Sequence, residues 1–304
     1  MSRRPNFFIV GAPKCGTTAL ATYLREHSQI FMTQQKEPHY FAGDYPIFRE
    51  VWSEKQYLRL FRSADNSHLA VGEASVWYLY SENALPRIKA FSPDARIIVQ
   101  VRNPVDLVYS YHSQALRALN EDEADFWTAW QLQAERRAGR HIPPTCRMPQ
   151  LLQYAAHGQL GTKLEQLLTV FPKEQLHVVV FDDLVADSRR TYLDVLDFLG
   201  VSDDGRMMFK PVNEHMAVRS QRVARLVQRP PAVVRWAIKQ RTRMGIRPMG
   251  ILKQARLANW QTEQRAPMPA VVRQALIDQF SAEIDLLEQL LKRDLSRWRE
   301  VDNS

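Results

Sequence analysis

Short apolar runs alternate along this chain with longer stretches of helical spacing. Residues 6–10, 69–72, 96–101 and 176–180 are each apolar and bounded by turn-forming or charged residues, so they read as buried strands. Apolar positions three and four apart predict helices over 16–27, 54–61, 82–91, 104–119, 149–171 and 188–199. In the fourth, Val105, Val108, Leu116 and Leu119 share a face, and Gly200 supplies a stop to the last. A further amphipathic run over 271–291 puts Leu276, Phe280, Ile284, Leu287 and Leu291 on one stripe. Strand–helix alternation predicts an α/β fold with a central, mostly parallel sheet and helices on both faces, a three-layer arrangement. No repeat, low-complexity tract or linker interrupts it, so one domain over 1–304 is expected.

Ligands of such sheets gather beyond the carboxyl ends of the strands. Gly11, Glu73 and Arg102 each fall just past an expected strand end and should converge. After the first strand comes Gly11-Ala12-Pro13-Lys14-Cys15-Gly16-Thr17-Thr18, a glycine-bounded turn opening a helix. Backbone N–H groups and a helix N-terminus aimed at one place make an anion site. Lys14 adds a point charge, and Thr17 and Thr18 add hydroxyls. A nucleotide triphosphatase loop would place lysine after the second glycine; here Thr17 stands there and Lys14 is in mid-loop. A lysine in mid-loop reaches the junction between a phosphate and the group leaving it. Past the third strand, Arg102-Asn103-Pro104 leads to Ser110, eight residues after the arginine. Pro104 suits a first helical position, and an arginine fork with a serine hydroxyl can hold a second phosphate.

Charge sharpens the picture. The net +8 comes from one segment: residues 219–256 hold eleven Lys or Arg and no Asp or Glu, leaving the remainder at −3. That pattern points to an anionic ligand or surface at one place rather than to nucleic acid. The segment could cover an acceptor cleft, bind an anionic acceptor, rest on an acidic membrane, or form an Arg-rich solvated face on packed helices; the last is favoured slightly. Cys15 and Cys146 are the only cysteines, and Cys15 sits in the anion loop, so a reducing compartment fits. The apolar run after residues 1–6 is only four residues long, and none approaches the roughly 18 of a membrane span, so a cytoplasmic location is expected.

The first loop resembles the 5′-phosphosulfate-binding loop of sulfotransferases that use 3′-phosphoadenylyl sulfate (PAPS), and Arg102 with Ser110 resembles their 3′-phosphate motif. Lys36-Glu37-Pro38-His39-Tyr40-Phe41 is similar to the Lys-Glu-x-His-Phe-Phe segment of heparan-type and bacterial members. The resemblance implies Glu37 as catalytic base, with His39 orienting the acceptor or helping to remove its proton. Val71-Gly72-Glu73-Ala74-Ser75 is similar to their Gly-Glu-Lys-Thr-Pro segment, but Ala74 replaces the lysine, which argues against importing their acceptor. Glu73 stays as a competing base, and Ser75, Trp77 and Tyr78 as cleft or core residues. Arg219, in an Arg-Ser before a helix, is similar to an arginine closing over the nucleotide.

Taken as a bacterial-type PAPS sulfotransferase, the chain would have a P-loop-type fold and bind PAPS through Lys14, Cys15, Gly16, Thr17, Thr18, Arg102, Ser110 and Arg219. It would transfer sulfuryl in line to a hydroxyl, less readily an amine, of a carbohydrate, lipid or secondary metabolite, leaving adenosine 3′,5′-bisphosphate (PAP). No metal is implied; Asp182 and Asp183, checked as a Walker-type acidic pair, match a structural pair in the family. An ATP-Mg kinase and a non-catalytic anion-binding module stay as alternatives.

Overall fold

Phe7–Gly11 (β1) is apolar and buried throughout, as a strand inside a parallel sheet covered on both faces must be. In the computed structural model, which describes residues 3–210, 216–218, 260–262 and 266–301, β1 lies at the centre of five strands. The others are Ile30–Met32 (β2), Ala70–Ala74 (β3), Arg96–Val101 (β4) and Leu176–Val180 (β5), in the order β2-β3-β1-β4-β5. Every pairing is parallel, with Phe7 opposite Gly72 on one side and Arg96 on the other.

The helices are Thr17–Arg25 (α1), Glu54–Arg59 (α2), Ala84–Phe91 (α3), Pro104–Arg117 (α4), Phe126–Gln131 (α5), Gln133–Arg137 (α6), Tyr154–Gly158 (α7), Leu160–Val170 (α8), Phe181–Ala186 (α9) and Ser188–Leu199 (α10), with a further helix over Ala270–Leu291. Alternation within β1 divides the core. Phe7 and Ile9 pack with Leu20 and Leu24 of α1 and Val195, Leu196 and Leu199 of α10. Phe8 points the other way, its ring edge-on to Phe41, which meets Phe91 of α3. The sheet is the middle layer of three.

Three differences from the sequence reading have physical causes. β2 is a three-residue strand, too short to show a period, and is held by pairing with Ala70–Gly72. β3 runs two residues further than expected because Ser75 N–H continues its ladder to the carbonyl of Ile9 at 3.0 Å. Glu73 therefore lies within the strand, opposite Phe8, not beyond its end. Gly11 likewise is the last residue of β1. Residues 149–171 are not one helix: a 3₁₀ turn over Pro149–Leu152 precedes α7 and α8, with Gln153 and Gln159 outside helical geometry. Tyr80 takes the carbonyl of His157 at 2.7 Å, an acceptor that a continuous helix would need for its own ladder.

The chain divides into two compact units. The first, residues 1–111, 154–212 and 269–304, carries the sheet. In it the stripe Leu276, Phe280, Ile284 and Leu287 is buried, and Glu283 caps the start of α8 by accepting from Thr162 N–H at 2.9 Å and Oγ1 at 2.6 Å. α10 ends as expected at Gly200, whose φ of 67° suits glycine. The second unit, residues 112–153 and 213–268, holds α5, α6 and an antiparallel pair, Met216–Val218 with Trp260–Thr262. Its interior contains the ion pair Glu121–Arg136. Among the described residues no helix is long and apolar enough to cross a membrane.

Candidate active site

The first loop is built by two constraints. Gly16 precedes α1 with φ of 87°, and a Cβ there would meet Leu184 Cδ2 at 2.9 Å and the Phe181 ring at 3.1 Å. Only glycine satisfies both the turn and the close approach. Gly16 caps α1 without a side chain of its own, so the cap does not occupy the first-turn amides of Thr17 and Thr18. Beneath the loop, Gln100 of β4 donates to the Cys15 carbonyl at 2.9 Å and accepts through its backbone from Ala12 N–H at 2.9 Å. The Cys15 thiol is fully buried, and burial pushes its pKa up to about 12 against the pull of Arg102 and Lys14. It contributes backbone, not thiolate chemistry.

Arg102 and Lys14 come together. The Arg102 guanidinium donates to the Lys14 carbonyl at 3.2 Å and stacks over the Phe181 ring at 4.5 Å. Lys14 and Arg102, from two candidate anion motifs far apart in sequence, meet at the ends of neighbouring strands. Asn103 caps α4 by accepting from Val105 N–H at 3.0 Å, and Pro104 opens the helix as expected. Ser110 is buried six residues further along, about 9 Å up the helix. Asp182 and Asp183 are engaged elsewhere: Asp182 accepts from the Trp298 indole at 2.6 Å, and Asp183 pairs with Arg293, one contact at 2.7 Å. Arg219 and the segment 219–256 lie outside the described residues.

The third cluster lies against the same loop. Lys36 reaches Thr18 Oγ1 and pairs with Glu37 at 3.1 Å, joining the anion loop to the candidate base. The Glu37 side chain is 30% exposed. His39 is buried, and among the described residues neither ring nitrogen meets a partner at full hydrogen-bond geometry, the nearest backbone being that of Glu37 and Phe48. Burial lowers its pKa, opposed by the Glu37 charge and by nearby backbone of Glu37 and Phe48, so the ring is held towards its neutral form.

Glu73 presents the opposite environment. It is fully buried and accepts from Ser75 Oγ at 2.7 Å, Tyr78 OH at 2.7 Å and Tyr57 OH at 3.1 Å. Ser75, Trp77 and Tyr78 belong to the core and do not line an open cleft; Trp77 stacks against Tyr45 and Phe48. The sequence reading passed over Tyr57, Gln100 and the Lys36–Thr18 contact. Only the last had a signal, a lysine beside the candidate base.

The sulfotransferase-domain sequence model matches residues 4–229. The chain belongs to the sulfotransferase family. A bacterial sulfotransferase from Alicyclobacillus acidocaldarius, known from its crystal structure, superposes with a TM-score of 0.70 at 28% identity, over 98% of this chain and 100% of that one. Human heparan sulfate glucosamine 3-O-sulfotransferase 3B1 is 30% identical over 197 residues, 65% of this chain and 46% of that protein. Rat carbohydrate sulfotransferase 15 is 26% identical over 248 residues, again 65% of this chain and 44% of that protein. The chain thus spans less than half the length of these curated relatives. The parallel sheet with its loop at the end of β1 is the P-loop-like α/β architecture expected of a sulfotransferase.

One consequence for this sulfotransferase concerns pH. Burial raises the Glu73 pKa from 4.5 to about 7, with the three hydroxyls pulling it down and the Glu37 charge adding slightly. The folded protein keeps this proton up to about pH 7, whereas an unfolded chain releases it near 4.5. Folding therefore binds a proton between those values, and this group's contribution to stability falls as pH rises through them. Glu73→Gln removes the effect. Urea unfolding should show the variant gaining on the wild type by up to about 3 kcal/mol between pH 4.5 and 8. A difference that stays constant with pH would refute the assignment.

Proposed function

We propose that this chain transfers the sulfuryl group of PAPS to a hydroxyl of an acceptor, using Lys14 beside the departing oxygen and Glu37 as base. The observation that supports it is the Arg102–Lys14 contact, which sets the arginine of the second candidate anion site against the first loop. A nucleotide phosphorylated at both ends of its ribose fits such a pair. The amides of Gly16, Thr17 and Thr18 with the N-terminus of α1 would take the 5′ side, and Arg102 with Ser110 the 3′-phosphate. In the reaction the bond from sulfur to the bridging phosphate oxygen breaks as a bond from sulfur to the acceptor oxygen forms. Glu37 takes the acceptor proton, and PAP leaves with its new charge beside Lys14. Exposure favours Glu37 over Glu73 as the base, since Glu73 has no accessible surface and three donors already on it.

The engagement of Asp182 and Asp183 by Trp298 and Arg293 supports this reading over a metal-nucleotide kinase, which needs an acidic strand end for its cation. Carbohydrate hydroxyls are the first acceptors to test, because the curated relatives are named for carbohydrate and heparan sulfate substrates.

Calorimetry tests the donor. PAP should bind the wild type at least tenfold more tightly than AMP, which lacks the 3′-phosphate. Arg102→Ala should lose roughly 10–100-fold in PAP affinity and erase that preference, as removal of a charge-assisted hydrogen-bonding fork would. Equal binding of AMP and PAP by the wild type, or no PAP binding, would defeat the reading.

A further inference from the structure

The segment that carries Glu37 and His39 is neither helix nor strand, and its backbone is held in an uncommon shape. Glu37 has φ of 59° and His39 φ of 47°, left-handed values that cost a side-chain-bearing residue about 1 kcal/mol or more each. Something must hold the segment there. Three backbone N–H groups anchor it: Glu37 to the Ala74 carbonyl at 3.1 Å, His39 to Ser75 Oγ at 3.1 Å, and Phe41 to Tyr78 OH at 3.4 Å. The first is an ordinary backbone bond. The other two end on hydroxyls, and both hydroxyls end on Glu73.

A hydroxyl has one proton to give and lone pairs to receive with. Ser75 gives its proton to Glu73 Oε2 at 2.7 Å, and Tyr78 gives its own to Glu73 Oε1 at 2.7 Å. Above about pH 7, where Glu73 is ionised, both protons are committed to its carboxylate and the lone pairs of both oxygens are turned to the amides of His39 and Phe41. A carboxyl group beneath the site thus sets the polarity of two hydroxyls, and these fix two alternate amides of the loop. Tyr57 of α2 donates a third hydroxyl to Glu73 at 3.1 Å, and among the described residues it takes no bond from a loop amide.

We propose that Glu73 is a positioning residue for the Glu37–His39 loop, acting through the hydroxyls of Ser75 and Tyr78. The inference rests on the sulfuryl-transfer reading for its kinetic consequence, but the clasp itself is a property of the free protein. Glu73 touches no reacting atom. Its work is to hold the backbone from which the Glu37 carboxylate meets Lys36 beside the anion loop and the His39 ring packs on Phe48 and Tyr78.

Three substitutions each remove one hydroxyl and little else. Ser75→Ala and Tyr78→Phe break the links that continue to the loop; Tyr78→Phe retains the ring that packs on His39 and Phe41. Tyr57→Phe removes an equally buried bond to the same carboxyl group and serves as the control. Hydrogen exchange of the free protein should be at least tenfold faster at the His39 amide in Ser75→Ala and at the Phe41 amide in Tyr78→Phe, and unchanged at both in Tyr57→Phe. Single-turnover release of PAP from PAPS with water as acceptor should fall about tenfold in the first two variants. PAP affinity should stay within twofold in all three, and Tyr57→Phe should keep the wild-type rate.

Equal exchange at those amides in all four proteins would overturn the clasp. Faster exchange with unchanged turnover would overturn its role in positioning, as would a loss in Tyr57→Phe as large as in the others. A wild type that neither binds PAP nor consumes PAPS would instead defeat the functional reading, while exchange would still judge the clasp.

Discussion

Lys14→Ala is expected to slow sulfuryl transfer by about 10²–10³-fold, the cost typical of losing one preorganised charge at a developing anion. The donor's leaving oxygen gains negative charge only as the bond to sulfur breaks, so an ammonium beside it helps the transition state more than the bound donor. The loss should therefore fall mainly on kcat, with a smaller rise in KM for PAPS. Lys14 has φ of 65°, a left-handed value that alanine tolerates no better. The substitution leaves the backbone problem as it was and reports on the ammonium. Lys14→Arg should not restore the rate, because a planar fork cannot occupy the place of a compact point charge in a loop this closely packed against Arg102. Single-turnover PAP release measures all three proteins. A kcat within threefold of wild type in Lys14→Ala would remove the lysine from the mechanism.

Much of this site was legible because its motifs are local. Gly11, Lys14 and Gly16 lie on one turn, and Arg102-Asn103-Pro104 spans one strand–helix junction, so spacing alone places them at strand ends. The meeting of Lys14 with Arg102 was inferable too, since parallel strands deliver their carboxyl ends to the same edge. The register within each strand was not. β3 runs to Ala74 instead of stopping at Gly72, which carries Glu73 inside, and nothing in the short run before it signals the difference. The hydroxyls that meet Glu73 come from α2, a strand end and a 3₁₀ turn, three elements whose approach depends on packing. The break in residues 149–171 was hidden for the same reason: a helical period continues through it, and a distant Tyr80 hydroxyl claims the carbonyl. Periodicity reports how a segment faces its core, and it is silent about side chains that compete for backbone groups.

Arg136→Met is expected to cost about 3–5 kcal/mol of stability, as breaking a buried pair does when one charge is left behind. Arg136 and Glu121 are 1% and 0% exposed at their side chains and form a two-pronged contact, 2.6 Å and 2.7 Å. Both groups have further commitments. Arg136 donates to the carbonyls of Ala129 at 3.3 Å and His141 at 3.2 Å, and Glu121 Oε1 accepts from the amides of Asp122 and Glu123 at 2.9 Å. The pair thus organises the turn after α4 and the end of α6 within the second unit. Removing the guanidinium leaves a carboxylate out of water, its charge no longer balanced by Arg136. Glu121→Gln should cost less than Arg136→Met, because an amide oxygen still serves the amides of Asp122 and Glu123 and no charge is stranded except that of Arg136, which keeps two carbonyls. The double variant Glu121→Gln/Arg136→Met should be more stable than the sum of the single losses by at least about 1 kcal/mol, the signature of a direct interaction in a double-mutant cycle. Urea unfolding followed by far-UV circular dichroism gives all four values. Single losses under 1 kcal/mol, the range of exposed pairs, would mean that water reaches Glu121 and that the second unit does not depend on this contact.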